Sequence, residues 1–428
     1  MRVKTLLMKL LGLCRATVVV AWAIVDDTDR DRPRVDVWVR TRAGRKRGQC
    51  GRCSRSAPWY DQGGGTRRWR HLDVGFATCE LVAAAPRVAC LEHGPTVALV
   101  PWARHGSAFS RAFEDLVVWD AIASNKHRAA RRHGVTWRAV NHACERVLAE
   151  ALDRVDLLDG LVAIAIDEVK AKKGQRYLTV VCDHFTGRVI WATEGRSKDA
   201  VRLFFDALDA GETDPARKRS AKLNFVTCDG AEWIRLVLAE RCPQAEVCMD
   251  TYHVIAWATE ALDEVRRAEW NELRQHGTAA HAKSVKGLRW LLVRNWENLS
   301  PKQKSVVRDL ERSNRRTFRG WQLNEGLRDI FGLPLLQARR ALDAWLAWAS
   351  RSQLEPFVKL ARTIRFYRTS IEATIEWQIT NGIAESNNSA IGRIRANARG
   401  FHKASAFITM IMLDRGDLSP DLPWAKAS

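Results

Sequence analysis

Between residues 17 and 40 the runs TVVVAWAIV and RVDVWVR alternate in the manner of strands, and a basic, glycine-containing segment follows. This pattern predicts a small β-rich module ending near GPTVALVPWARHG. From residue 107 to 155 the apolar spacing changes to three and four, which predicts helices over FSRAFEDLVVWDAIAS and VTWRAVNHACERVLAEAL. NKHRAARRHG separates them and carries a glycine in the turn. From Leu161 the short runs LVAIAIDEV, RYLTVVCD and RVIWATEG read as strands, the last two joined by the turn HFTG. SKDAVRLFFDAL then reads as helix, LNFVTCDG as strand, AEWIRLVLAERC as helix and AEVCMDTYHV as strand, which together predict a mixed α/β sheet. Residues 255–368 are almost wholly amphipathic helix, with Trp257, Trp270, Trp290, Trp296, Trp321, Trp345 and Trp348 spread through them. Tryptophans at helical spacing favour core packing over base stacking.

Length and charge add a partner to this picture. A chain of 428 residues has room for about three domains of roughly 150 residues. Lys and Arg number 69 against 49 acids, a net charge of +20, which predicts attraction to a polyanion, most often nucleic acid. A high-GC genome also inflates arginine. Clustering argues for a partner, because residues 40 to 70 hold ten bases and one acid, Asp61.

MRVKTLLMKLLGLCRA resembles a secretory signal only superficially, since Lys9 interrupts the apolar run and no small-residue cleavage site follows. Leu13 stands before Cys14 where a lipoprotein signal needs a small residue. No run approaches the length of a membrane span, so the cytoplasm, in association with the nucleoid, is the expected address. The ten cysteines read as reduced core thiols plus a possible metal site.

Three constellations carry candidate chemistry. Cys50 and Cys53 in CGRC, with Cys90 and His93 in CLEH, form two pairs of equal spacing that can converge on zinc; the alternative is unrelated core thiols and a surface histidine. In GVTWRAVNHACERVL, Thr136 can cap a recognition helix that presents Trp137, Arg138 and Asn141 to DNA bases. Lys126, Arg128, Arg131 and Arg132 precede it as phosphate contacts; a helix pair with no DNA role is the other reading. Third, alternation puts Asp167 on one strand face and Glu168 on the other, while Asp229 ends a strand before glycine. Such carboxylates suit Mg2+ or Mn2+ when they converge, although Asp229 could cap its helix and Asp167 could start a turn. A third acid decides the matter. In NGIAESNNSAIGRIRANARGFH, Glu385 stands alone among asparagines and arginines in the first turn of a helix beginning near Gly382, where the dipole favours an anion. Its basic tail, Arg393, Arg395 and Arg399, is placed to follow a DNA backbone.

The succession of zinc-binding pairs, helix-turn-helix, IDEV, CDGAEW, CMDTYHV and GIAESNN…ARGFH resembles bacterial insertion-sequence transposases of the ISL-three type over nearly the whole chain. The resemblance implies a multidomain protein. Residues 1–105 would form a β-rich zinc-binding module, 106–158 a helix-turn-helix domain, and 159–254 with 369–428 an α/β, RNase H-like mixed-sheet core, interrupted by an all-α insertion at 255–368. It also implies a DDE triad of Asp167, Asp229 and Glu385 holding two Mg2+ or Mn2+ ions for DNA cleavage and strand transfer, together with a structural Zn2+. The implied partners are double-stranded DNA, as terminal inverted repeats and target, and a homodimer or larger assembly on it. Two features depart from the family pattern. His93 stands where the last zinc ligand is commonly cysteine, and Gly392, seven residues after Glu385, stands where a lysine or arginine is common, with Arg393 adjacent. Asp250 and His253 match a family signature whose role the residues do not reveal. The rival readings are a non-catalytic regulator or decayed transposase, and a metal-dependent nuclease.

Overall fold

The computed structural model describes residues 3–26, 32–42, 47–172, 176–313 and 315–425; Arg45 and Lys46 of the basic stretch lie outside them. The chain folds into two compact units, Met1–Leu157 with Arg393–Ser428, and Leu158–Gly392.

The first unit begins with α1 (Val3–Leu10), β1 (Thr17–Val25), β2 (Arg34–Thr41), β3 (Arg47–Gln49) and β4 (Ser56–Asp61). β5 (Thr66–Val74), β6 (Ala77–Ala84), β7 (Arg87–Cys90) and β8 (Gly94–Val97) follow. These strands make two four-stranded sheets, ordered β1-β2-β6-β5 and β3-β4-β7-β8. Alternation along β2 and β6 buries Val37 and Leu81 with Trp69, against whose ring Trp102 packs edge-on at 5.6 Å.

Next come α2 (Arg111–Ala123), α3 (Lys126–His133) and α4 (Trp137–Leu152). Here the pattern misleads: NKHRAARRHG is not a bare connection but a helix, α3. Its bases conceal an apolar pair, Ala129 and Ala130, which are buried. Asn125 caps it by accepting from the Arg128 N–H, and Gly134, at φ +64°, ends it in the left-handed conformation that glycine adopts without strain. The helix-turn-helix is therefore α3, the Gly134 turn and α4. Arg104 secures the group by bridging Glu114, fully buried, and Asp115 with Glu150.

The second unit is built on β9 (Ala163–Lys172), β10 (Arg176–Asp183) and β11 (Val189–Glu194), then α5 (Lys198–Leu208), β12 (Phe225–Cys228), α6 (Glu232–Arg241) and β13 (Glu246–Met249). The sheet order is β11-β10-β9-β12-β13, antiparallel across the first three strands and parallel across β9, β12 and β13. Only Glu246–Met249 of the expected strand AEVCMDTYHV is strand, because Asp250 caps a helix that starts at Thr251.

That helix, α7 (Thr251–His276), opens the helical block of α8 (Ala279–Gly287), α9 (Arg289–Leu292), α10 (Pro301–Ser313), α11 (Arg315–Ile330), α12 (Leu335–Ser350), α13 (Glu355–Phe366) and α14 (Arg368–Trp377). Its core gathers Leu262, Val265, Leu323, Leu342, Phe357 and Ile371. Trp345 is buried there and donates to the Leu323 carbonyl at 2.8 Å, whereas Trp290 is 71% exposed and does not serve the core. α14 returns to the sheet, where Thr374 donates to the Met249 carbonyl at 2.8 Å.

α15 (Gly382–Asn397) and α16 (Ala404–Arg415) complete the chain. Residues 369–428 were expected to join the sheet as one piece, but the structure groups residues from Arg393 onward with the first unit. FITMIMLDR explains the difference: it is apolar nearly all round and needs cover on more than one side. Met410 and Leu413 obtain it among Val117, Val140 and Val147 of the three-helix cluster. Among the described residues, no helix is long and apolar enough to cross a membrane.

Candidate functional site

The parallel register places the candidate acids. Cys228 of β12 pairs with Ile166 of β9 on one side and with Met249 of β13 on the other. One residue further along, at β9 and just past the ends of β12 and β13, stand Asp167, Asp229 and Asp250, neighbours in a row. The row lies at the carboxyl edge of the parallel strands, where ligands of open α/β sheets bind. Gly230 follows because a Cβ there would lie 2.5 Å from the Trp257 ring of α7.

Each carboxylate is oriented differently. Asp167 accepts from the Glu168 N–H at 2.7 Å on Oδ1 and from Asn388 Nδ2 at 2.6 Å on Oδ2. Asp229 accepts from the Ala231 N–H at 3.0 Å, but the N-cap of α6 is Ala231 itself, so Asp229 shapes the preceding turn without being the cap. Glu385 is exposed in the first turn of α15. Asn388, one turn later on the same helix face, is the residue that bonds Asp167. Buried Asn381, which accepts from Thr227 at 2.9 Å, and Asn387, which donates to the Gly187 carbonyl at 2.9 Å, pin the helix to the sheet.

The charges are coupled. Burial raises the Asp167 pKa, with Asp229 adding to the rise; the Glu168 N–H, Asn388 and His253 oppose it. Burial also raises Glu385, with Asp250 adding and His253 opposing. Glu168 is pushed up to about 7 by burial against the pull of Arg196, its ion-pair partner. Asp167 is thus coupled to Asp229, and Glu385 to Asp250 and His253. The three carboxylates are not drawn within 4.8 Å of one another, as only the cysteine–histidine group is among the described residues.

The cysteine–histidine group is compact. Cys50 and Cys53 lie at the turn between β3 and β4, and Cys90 and His93 at the turn between β7 and β8. The four ligand atoms lie within 4.8 Å of one another: Cys53 Sγ to Cys90 Sγ is 3.6 Å, and His93 Nδ1 is 3.8 Å from Cys50 Sγ and 3.6 Å from Cys90 Sγ. A tetrahedron with bonds of about 2.3 Å has edges of about 3.8 Å, so this thiolate and imidazole set fits zinc. The His93 ring draws the Cys90 thiol down to about 6, toward the thiolate a metal requires.

The expected DNA contacts divide. Thr136 caps α4 by accepting from the Ala139 N–H at 3.2 Å, and Trp137, Arg138, Arg131 and Arg132 are exposed. Asn141 is not free to read a base: it accepts from Lys126 at 2.6 Å and donates to Glu145 at 2.7 Å. Lys126 is buried and also reaches the Ala406 carbonyl, so it is a structural cation and not a phosphate contact. Arg393 and Arg395 lie on α15, and Arg399 lies just past its end, the first and last exposed. Gly392 has open space beside its Cα, so no steric demand calls for glycine there.

Reading the sequence missed Asn388 as the partner of Asp167. Its signal was its position three residues after Glu385, which on a helix means the same face.

Comparison with known proteins agrees with this layout. Residues 164–411 match a family model described as transposase, residues 46–93 one described as zinc-finger of transposase IS204/IS1001/IS1096/IS1165, and residues 98–148 one described as helix-turn-helix domain of transposase family ISL3. The transposase for insertion sequence element IS1557 of Mycobacterium tuberculosis is 39% identical, over 99% of this chain and 98% of its own length. The transposase for insertion sequence element IS1001 of Bordetella parapertussis is 28% identical, over 68% of this chain and 69% of its own length.

Proposed function

Because the chain belongs to transposase family ISL3, we propose that it cuts and joins DNA at the ends of an insertion sequence, using divalent cations held by Asp167, Asp229 and Glu385. The single observation that carries this is the placement of Asp229 beside Asp167 by strand register, with Glu385 one helical turn from the residue that bonds Asp167. The strand order β11-β10-β9-β12-β13, antiparallel and then parallel, supports an RNase H-like core.

The donor set is three hard carboxylates without thiolate or imidazole, which suits Mg2+ or Mn2+. Such ions, when bound as a pair, supply the charge that activates the attacking hydroxyl and stabilises the leaving oxygen. Asp167, Asp229 and Glu385 would hold them. The Glu168 N–H and Asn388 fix the Asp167 carboxylate from both oxygens, so Asn388 positions the ligand rather than serving as one. Asn388→Ala is expected to raise the Mg2+ requirement for cleavage by about 10–100-fold, the usual cost of losing such a partner. An unchanged Mg2+ titration would remove Asn388 from this role.

The zinc module and α4 bind the terminal inverted repeats, with Trp137 and Arg138 toward the bases and Arg131 and Arg132 toward phosphates. Arg393, Arg395 and Arg399 extend the basic track, and pairing of two ends calls for a dimer or larger assembly on DNA. Work on DNA places the protein at the nucleoid. End binding weakens with salt through counterion release, and Arg131→Ala reduces the slope of log affinity against log salt by about one. An unchanged slope removes Arg131 from phosphate contact.

The reading is tested by incubating the protein with paired element ends and Mg2+. Joined products support transposition, cleavage without joining leaves a nuclease, and binding without either leaves a regulator.

A further inference from the structure

His253 and Asp250 have no part in the roles assigned above, yet they complete the row of charges at the sheet edge. Asp250 extends the series Asp167, Asp229 by one strand and is 2% exposed. Its two oxygens are both engaged: Oδ1 accepts from the Tyr252 N–H at 3.0 Å, capping α7, and Oδ2 accepts from His253 Nδ1 at 2.5 Å. Capping uses one oxygen and needs no charge, since asparagine or serine serves equally well. A histidine in the first turn of a helix is disfavoured as a cation by the dipole, so a charged ring there calls for a carboxylate partner.

The bond to Asp250 fixes which nitrogen carries which proton. Nδ1 is the donor to Oδ2, which leaves Nε2 as the working atom, on a side chain 37% exposed. Asp250, at the start of α7, touches the ring, and the acids coupled to it through space are Asp229 after β12, Asp167 on β9 and Glu385 on α15. The bond to Asp250 raises the His253 pKa above the ordinary histidine value, and burial opposes it. The ring therefore keeps its second proton to higher pH than a solvated histidine.

We propose that His253 is a catalytic residue for strand cleavage, its Nε2–H delivering a proton to the leaving 3′ oxygen, with Asp250 as its positioning residue. The inference rests on the transposase reading. As water attacks phosphorus, a new O–P bond forms and the P–O3′ bond breaks, its electron pair going to O3′. His253 gives O3′ its proton and becomes neutral, the attacking water gives up a proton to solvent, and the exposed ring is reprotonated from solvent. In joining, the 3′ hydroxyl replaces water, and the target strand's 3′ oxygen leaves in the same way.

Sulfur in place of the leaving 3′ oxygen provides the test, because a thiolate leaves without needing a proton, thiols ionising near about 8.5. Single-turnover cleavage is measured with the full-length protein on oxygen and sulfur ends, in Mn2+, which tolerates sulfur. The expected result is that His253→Gln slows the oxygen substrate about 100-fold, within the usual range for general acids, and leaves the sulfur substrate close to wild type. The comparison within one preparation cancels any loss of folded protein. Wild-type cleavage of the oxygen end should fall as pH rises through the raised His253 pKa. Asp250→Asn, which keeps a capping oxygen but removes the charge, should move that fall to lower pH. Equal slowing on both substrates, or none on either, overturns the proposal, as does an unmoved pH profile in Asp250→Asn. If the wild type cuts neither substrate, the transposase reading fails first and takes this inference with it.

Discussion

Glu385→Gln will bind element ends as the wild type does and lose strand cleavage and joining by about a thousandfold, the scale expected when a charge that stabilises the transition state is removed. The two effects separate because of where the residue sits. Glu385 is exposed in the first turn of α15, and its backbone N–H bonds the Asn381 carbonyl at 3.1 Å whatever the side chain. The helix is held by Asn381, Asn387 and Asn388, none of which is changed. Glutamine keeps the size and one oxygen acceptor, so only the charge is lost. Electrophoretic mobility shift and single-turnover cleavage on the same preparation check both halves. Undiminished joining would remove Glu385 from the site.

Removing zinc will have the second large effect, abolishing end binding by unfolding the ribbon of β3, β4, β7 and β8. The buried cluster of that ribbon is Cys50, Ala57, Val88, Cys90 and Ala98, and two of its five members are the proposed ligands themselves. A core of this size cannot offset the chain entropy it must freeze, so folding depends on the metal, whose binding in such modules is worth on the order of 10–16 kcal/mol. Chelation, or Cys53→Ser, should collapse amide protection across residues 47–61 and 87–97 and leave the protection of β9, β10 and β12 intact. Hydrogen exchange reads both regions at once. Retained protection and end binding in metal-free protein would show that zinc has no structural part.

What the sequence reveals of this fold follows from burial. β9, β10 and β11 were legible because buried strands read as short continuous apolar runs bounded by turn signals, and the long helical block because amphipathic helices repeat at their own period. α3 was not, because KHRAARRH has too few apolar positions to show a stripe; its markers were the terminal Asn125 and Gly134. The end of β13 was misplaced because TYHV carries strand-favouring residues through a change of structure, and the N-cap Asp250 was the one local sign. The pairing of β9 with β12, which makes neighbours of Asp167 and Asp229, is a long-range fact with no trace in periodicity. Chemistry was harder still. Lys126 and Asn141 have the residue types of a DNA contact, yet they satisfy each other inside the helix cluster, which only packing reveals.

The central claim is that Asp167, Asp229 and Glu385 together hold divalent cations when DNA is bound. Anomalous diffraction from Mn2+ in crystals of the protein with a cleaved element end tests it most directly. The account predicts Mn2+ within bonding distance of all three carboxylates, with Asp167 shared between two ions. Manganese bound elsewhere, or at Asp167 and Asp229 with Glu385 left in solvent, would contradict it.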